Sequence, residues 1–320
     1  MNSITNTAIP SARYHITHET HYRYAVPVAL SQQLVHLFPR QCAWQQCQSH
    51  ILDINPPPTR RRDEHDAFGN PLTRLSFETP HDTLTLTARL DIAVQARVLP
   101  TLAHSPGWET VCELLDYRAD TPCTADVLDA CQFRYQSPAV PLKKVLVQYG
   151  ADCFLPEKPL LVATQSLMQK VFTEFTFDSS ATEVTTPLLQ VLAEKRGVCQ
   201  DFAHLMIACM RSRGLPARYV SGYLLTTPAP GQARLIGADA SHAWVSVFCP
   251  ENGWVDFDPT NNILPGNEHI TLAWGRDFSD VSPLRGVILG GGHHTLDVKV
   301  TVMPAQDSPG WASSQSQSQS

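Results

Sequence analysis

The chain has 320 residues, a formal net charge of −6, 43% apolar residues and 17% charged ones. That is ample material for packed cores and excludes a globally disordered chain, and at roughly 150 residues per domain it predicts about two domains. No basic stripe runs along any predicted helix and no stretch nears the ~18 apolar residues of a membrane span, so neither nucleic acid nor membrane is an expected partner.

The opening residues, MNSITNTAIPSARY, carry no charged n-region and no apolar h-region, so no signal peptide is predicted. Cysteines number 9, an odd count, with no C-x-x-C pair. This fits neither a disulfide framework nor a zinc ribbon, and a reduced, cytoplasmic protein is the expectation. Tyr14, Ile16, His18, Thr20, Tyr22 and Tyr24 then alternate with polar neighbours, the period-two pattern of a strand. His15 and His21 fall on the opposite face from His18, so no metal site is read there. Arg60-Arg61-Arg62 follows a proline run and reads as a solvated loop. Leu84, Leu86, Ala88, Leu90, Ile92 and Val94 make a second alternating face. Turn signals at Asn55-Pro56-Pro57-Pro58 and Phe68-Gly69-Asn70-Pro71 separate the strands. Short strands at this spacing predict an antiparallel β-sandwich-like domain over residues 12–103, with a boundary between Pro100 and Gly107.

Beyond it the pattern is mixed. Leu160, Leu161, Leu167, Met168, Val171 and Phe172 recur at helical spacing. Thr186-Pro187 reads as an N-cap followed by proline at the first helical position, with that helix stopping at Gly197. A further helix starts near Cys199 and ends at Gly214. Strands follow at Tyr219–Leu225, His242–Phe248, Gly253–Asp258 and Leu296–Val302. The fold class is therefore α+β, with a second domain over 104–305 and a low-complexity, disordered tail over 306–320. His293 and His294, after three glycines, read as a strand connection.

At a helix start, the thiol of Cys199 lies by unpaired backbone N–H groups and the positive end of the helix dipole, both of which favour a thiolate. Taken alone, Cys199 reads more simply as an inert helical cysteine, the pattern that Cys209 shows inside the same helix. A nucleophile needs an imidazole, and the imidazole needs an orienting group. His242 begins one strand, Pro-Glu-Asn-Gly makes a turn, and Trp254 to Asp258 returns. If Phe248 faces Trp254 or thereabouts, His242 lies opposite residues 258–260. Side-chain alternation then puts His242, Trp244, Asp256 and Asp258 on one face, with Asp258 nearer His242 and Asp256 the weaker candidate. Together, Cys199, His242 and Asp258 make a candidate Cys-His-Asp site. Asp201, in the first helical turn, reads as structural. His204, about 140° around the helix from Cys199, is poorly placed as a base.

The stretches RGVCQDFAHLMIACMRSRGLPARYVSGYL, DASHAWVSVF and GWVDFDPTNN resemble the transglutaminase-like superfamily, which shares a papain-type α+β core. YHITHETHYRYAVPVALSQQLVHLFPR and DAFGNPL resemble the bacterial transglutaminase-like N-terminal region, and GRDFSDVSPLRGVILGGG resembles the close of the same core. The resemblance implies Cys199 as nucleophile, His242 as base and Asp258 as orienting acid, with no cofactor and no metal. It implies acyl transfer through a thioester on a peptide or protein substrate, by a peptidase or amidase. The alternatives are a protein-glutamine crosslinking acyltransferase or deamidase, and a non-catalytic peptide-binding module. Animal transglutaminases use calcium, but no dense acidic loop suggests it here. The oligomeric state is unknown from these residues.

Overall fold

Period-two patterning over the first hundred residues becomes five strands: β1 (Ser11–Val35), β2 (Gln45–Asn55), β3 (Arg60–His65), β4 (Pro71–Phe77) and β5 (His81–Gln95). The structure, a computed structural model, describes residues 11–116, 123–183, 185–226 and 241–307. Every second residue of β5 from Leu84 to Val94 is fully buried, and Tyr14, Ile16, His18 and Thr20 of β1 face the same core. Each such aliphatic side chain removed from water contributes about 1.5–3 kcal/mol. The Arg60–Arg62 run forms β3 rather than a loop, and its cations pair locally: Arg61 with Asp63 at 3.3 Å and Arg62 with Glu64 at 3.4 Å.

After the helices α1 (Trp108–Leu114), α2 (Ala125–Cys131), α3 (Lys144–Tyr149) and α4 (Leu160–Glu174), a two-residue strand β6 (Thr176–Phe177) leads to α5 (Leu188–Glu194). Pro187, expected as the first helical residue, is instead the N-cap of α5, which starts one position later at Leu188, and Lys195 takes the left-handed position (φ 56°) that closes the helix. β7 (Arg196–Gly197) pairs in parallel with β6 and feeds α6 (Cys199–Arg211). A second antiparallel sheet follows, in the order β10-β9-β8-β11: β8 (Ala217–Leu224), β9 (Ser241–Cys249), β10 (Gly253–Phe257) and β11 (His269–Gly275). After the one-turn α7 (Phe278–Val281) come β12 (Leu284–Gly290) and β13 (His294–Pro304). No described helix is long and apolar enough to cross a membrane.

The first sheet is one curled sheet of 7 strands, continuous through β1. The reason is the length of β1, 25 residues. Its first half pairs with β5 and β13, its second half with β4 and β12, and the register slips between Arg23 and Val28, where the strand bends. β12 and β13 lie inside the expected 104–305 unit but complete the sheet begun by residues 12–103, so the chain crosses the expected boundary twice. Glycines 290, 291 and 292, all at positive φ, join β12 to β13. Residues 306 and 307 of the expected tail lie in a short 3-10 turn, Ala305–Asp307, and the rest of that tail lies outside the described residues.

The two sheets are joined along β11, an edge strand. The Gln45 side-chain amide donates to Thr271 O at 2.8 Å and accepts from Thr271 N–H at 2.8 Å. Asn70 does the same at Trp274, donating to its O at 2.8 Å and accepting from its N–H at 3.0 Å. Two side-chain amides thus act as a surrogate strand and satisfy the free edge. Tyr223, Ile270 and Leu272 of the second sheet complete the apolar core of the first.

A fragment confined to residues 12–103 lacks both β12 and β13 and those three side chains. It is expected to show no cooperative urea transition, whereas the full chain does. A cooperative, monomeric fragment, read by circular dichroism and sedimentation, would contradict this account.

Candidate active site

α6 opens on Cys199, and the turn before it is locked by one carboxylate. Val198 is extended (φ −114°, ψ 179°) and its N–H donates to Asp201 Oδ2 at 2.9 Å. The same oxygen accepts from the Thr182 hydroxyl at 2.6 Å. Gly197 is needed for a reason other than a tight turn: a Cβ there would lie 2.7 Å from Asp201 Oδ2. The amide N–H groups at the start of α6, that of Cys199 among them, have no partner within the helix by position. Cys199 is partly exposed. Burial instead pushes the thiols of Cys42, Cys47, Cys112 and Cys153 up to about 11 and that of Cys209 to about 12.

The hairpin has the expected register. Phe248 pairs with Trp254, and the ladder runs to Val245 and Phe257. Asp258, just past it, is fully buried and bridges to Ile263. Its Oδ2 receives His242 Nε2 at 2.7 Å, Asn261 Nδ2 at 2.8 Å and His269 Nε2 at 3.1 Å. Its Oδ1 receives the backbone N–H of Thr260 at 2.9 Å and of Asn261 at 3.3 Å. An ionised carboxylate only accepts, so both imidazoles carry their proton on Nε2. For His242 that leaves Nδ1 as the nitrogen for Cys199, whose side chain is near enough to help raise the imidazole pKa.

Burial alone would lower the His242 pKa, but the bonds to Asp258 and Cys199 and the negative charge of both outweigh it and push it up to about 10. Burial alone would raise that of Asp258, but the two histidines hold it well below the usual carboxylate range. The site therefore favours an imidazolium beside a carboxylate, poised to stabilise negative charge on the sulfur.

The other residues singled out in the sequence lie in supporting positions. Asp256 accepts from the Trp244 indole N–H at 2.7 Å and pairs with Arg97, so its carboxylate is engaged there and not by His242. His204 accepts the Phe278 N–H at 3.1 Å and stacks on Tyr219, and burial lowers its pKa to about 4. It is a neutral acceptor. His18 is bonded to the Tyr223 hydroxyl at 2.8 Å, and His15 lies 3.9 Å from Asp91. His269 was not anticipated; no period-two relation links it to His242. Among the described residues, His242, Asp258 and His269 place one ligand atom each within 4.8 Å of one another, a donor set suited to a metal, but those atoms are engaged with one another. Beside the first turn of α6 lies a cleft of about 520 Å³ lined by Pro187, Leu188, Leu189, Gln200 and Phe278, among others.

Comparison with known proteins adds a family. Residues 14–93 match the bacterial transglutaminase-like N-terminal region, and residues 148–259 match the transglutaminase-like superfamily. An uncharacterized protein of Mycobacterium tuberculosis is 38% identical over 297 residues, 91% of this chain and 93% of its own length. A protein-glutamine gamma-glutamyltransferase of Pseudomonas aeruginosa is 38% identical over 72 residues, 22% of this chain and 11% of that protein. A solved structure from Cytophaga hutchinsonii, provisionally described as a cysteine protease, has a TM-score of 0.71 over 92% of this chain and 91% of its own, at 19% identity. That likeness is one of fold.

Two measurements test the electrostatics. With limiting iodoacetamide near pH 7, Cys199 should alkylate about tenfold or more faster than any buried cysteine, and lose that lead in His242→Ala. Equal rates before and after the substitution would refute the thiol–imidazole pair. Stability should also follow the histidine. A folded pKa raised from 6.5 to about 10 contributes fully below pH 6.5 and is lost as pH rises through about 10. The urea midpoint of the wild type, relative to His242→Gln, should therefore shrink between pH 7 and 10.

Proposed function

As the chain belongs to the transglutaminase-like superfamily, we propose that it is a cysteine hydrolase that cleaves amide bonds in a peptide or protein through a thioester. The observation that carries this reading is the bond of His242 Nε2 to the buried Asp258 at 2.7 Å, with Cys199 near enough to help push the imidazole pKa up. Cys199 thiolate attacks the amide carbonyl carbon, forming a C–S bond and an oxyanion. The N–H of Cys199, without a partner inside α6 by position, is suited to receive that oxyanion, a contribution of about 10²–10³ in rate per donor. His242 Nδ1–H gives its proton to the leaving nitrogen as the C–N bond breaks. Water then attacks the thioester, Nδ1 takes a proton from it, and the acid product leaves with the thiolate restored. Asp258 holds the ring with Nε2 protonated throughout, so that Nδ1 is the nitrogen that exchanges protons. The cleft beside α6, with proline and leucine walls, suits an apolar segment of the substrate.

A second reading keeps the thioester but resolves it with an amine, giving a protein-glutamine crosslinking enzyme, or with water at a glutamine side chain, giving a deamidase. It is favoured by the local identity to the Pseudomonas aeruginosa protein-glutamine gamma-glutamyltransferase.

A peptide library incubated with a fluorescent primary amine separates these outcomes. New peptide termini without ammonia support the peptidase. Ammonia without incorporated amine supports deamidation, and incorporated amine supports crosslinking. In whichever assay is positive, Cys199→Ala should abolish turnover and Asp258→Asn should lower kcat about 10³–10⁴-fold. Undiminished turnover in Cys199→Ala would sink the assignment.

A further inference from the structure

Asp258 is a fully buried carboxylate, and such a group takes up a proton or turns away unless donors hold it. Its donors differ in what they can hold it against. Thr260 and Asn261 follow within three residues and travel with the same turn. His242 is the group to be oriented. Apart from His242 on β9, the donor from a separate strand is His269 on β11, at the far edge of the order β10-β9-β8-β11. We propose that His269 is a positioning residue: it anchors the Asp258 carboxylate to β11, with Oδ2 turned to His242, and keeps it ionised without touching the reacting atoms. The proposal rests on the Cys199–His242–Asp258 reading above.

The surroundings of His269 suit that task. Its side chain is 1% exposed. The ring packs edge-on to Trp244, with centroids 5.2 Å apart and planes at 86°. Space for this convergence exists because Gly222, beside His242 in the ladder, has no side chain; a Cβ there would lie 2.6 Å from the Trp244 ring and 2.1 Å from Ile270 O. Two residues on, the Gln45 amide clamps the β11 backbone at Thr271. The charged and titratable groups around the carboxylate and its anchor are His242 on β9, Cys199 beyond it, Arg97 after β5, and Asp256 on β10. Burial, opposed by Asp258, lowers the His269 pKa, and its Nδ1 is buried with no hydrogen-bond partner among the described residues. Taking a second proton would place an unpartnered N–H there. His269 is thus a neutral donor, whereas His242 beside it is the proton carrier.

The test is the pH profile of Cys199 alkylation in the wild type, His242→Ala, His269→Leu and His269→Gln. Glutamine can present an N–H near the position of Nε2, and leucine fills space without one. His269→Leu should lower the plateau rate about tenfold, the factor carried by one hydrogen bond to a charged group. It should also move the acid-side inflection up by about one pH unit, because a loosened Asp258 supports the His242 imidazolium less and the thiolate beside it is less stabilised. His269→Gln should restore most of both. A profile unchanged in His269→Leu, beside intact His242 dependence in the wild type, overturns the inference alone. A rate lowered equally in both variants with no shift of inflection makes His269 a packing residue and also overturns it. Wild-type alkylation independent of His242 overturns the catalytic reading and the inference with it. If His269→Leu does not fold, ¹⁵N spectra of histidine in the wild type decide: Nε2–H with an unprotonated Nδ1 from pH 5 to 9 supports the proposal, and titration in that range refutes it.

Discussion

A carboxylate withdrawn wholly from water governs this architecture. Asp258 keeps its charge only while N–H donors surround it, and those donors come from its own turn, from β9 and from β11. The strands that carry the two imidazoles must therefore hold a fixed relation, and β11, at an edge, has neighbours on one side only within its own sheet. The Gln45 and Asn70 amides supply the other side. Geometry at the candidate site thus depends on side chains of the first sheet, and Arg97, which follows that sheet, reaches in to pair with Asp256 on β10. The two sheets are parts of one mechanical unit.

The hairpin and its facing residues were legible because side-chain parity on a strand is strict. Once Phe248 and Trp254 are opposite, His242 and the carboxylate beyond the turn must share a face. The start of α6 was legible for a partly different reason than the one operating. Glycine signalled a break before Cys199, but the left-handed residue is Lys195, and Gly197 makes room for Asp201. His269 was not legible. It meets Asp258 only because residues 259–268 carry the chain from the end of β10 to the start of β11, and no local pattern encodes that crossing. Asn70 was visible as part of a turn, DAFGNPL; its grip on Trp274 could not be seen without the second sheet.

Alternation likewise identified strands and their inner faces in the first hundred residues but not their partners. A strand as long as β1 carries separate partners along its length, and two of them come from the far end of the chain. Hydrophobic pattern decides which face is buried; pairing is decided by chain length, bends and what remains unpaired. What alternation left open is that the strands share one continuous curled sheet, while the α+β class held because both patterns, period two and period 3.6, are strong.

The return of β13 to β1 also sets an order of events during synthesis. β1 waits for the last described strand of its own sheet, whose paired residues emerge 270 to 290 positions later. Until then β1 has an open edge from Tyr14 to Tyr24, and contacts of such long range close slowly. The helices and the second sheet are made in the interval and can assemble around α6 first, so the core that bears the thiol is the natural template on which the older strands finally close. A nascent chain stopped short of residue 294 would carry its full set of candidate site residues on an unfinished support, so the frame of the site is closed by a strand made after every residue of the site.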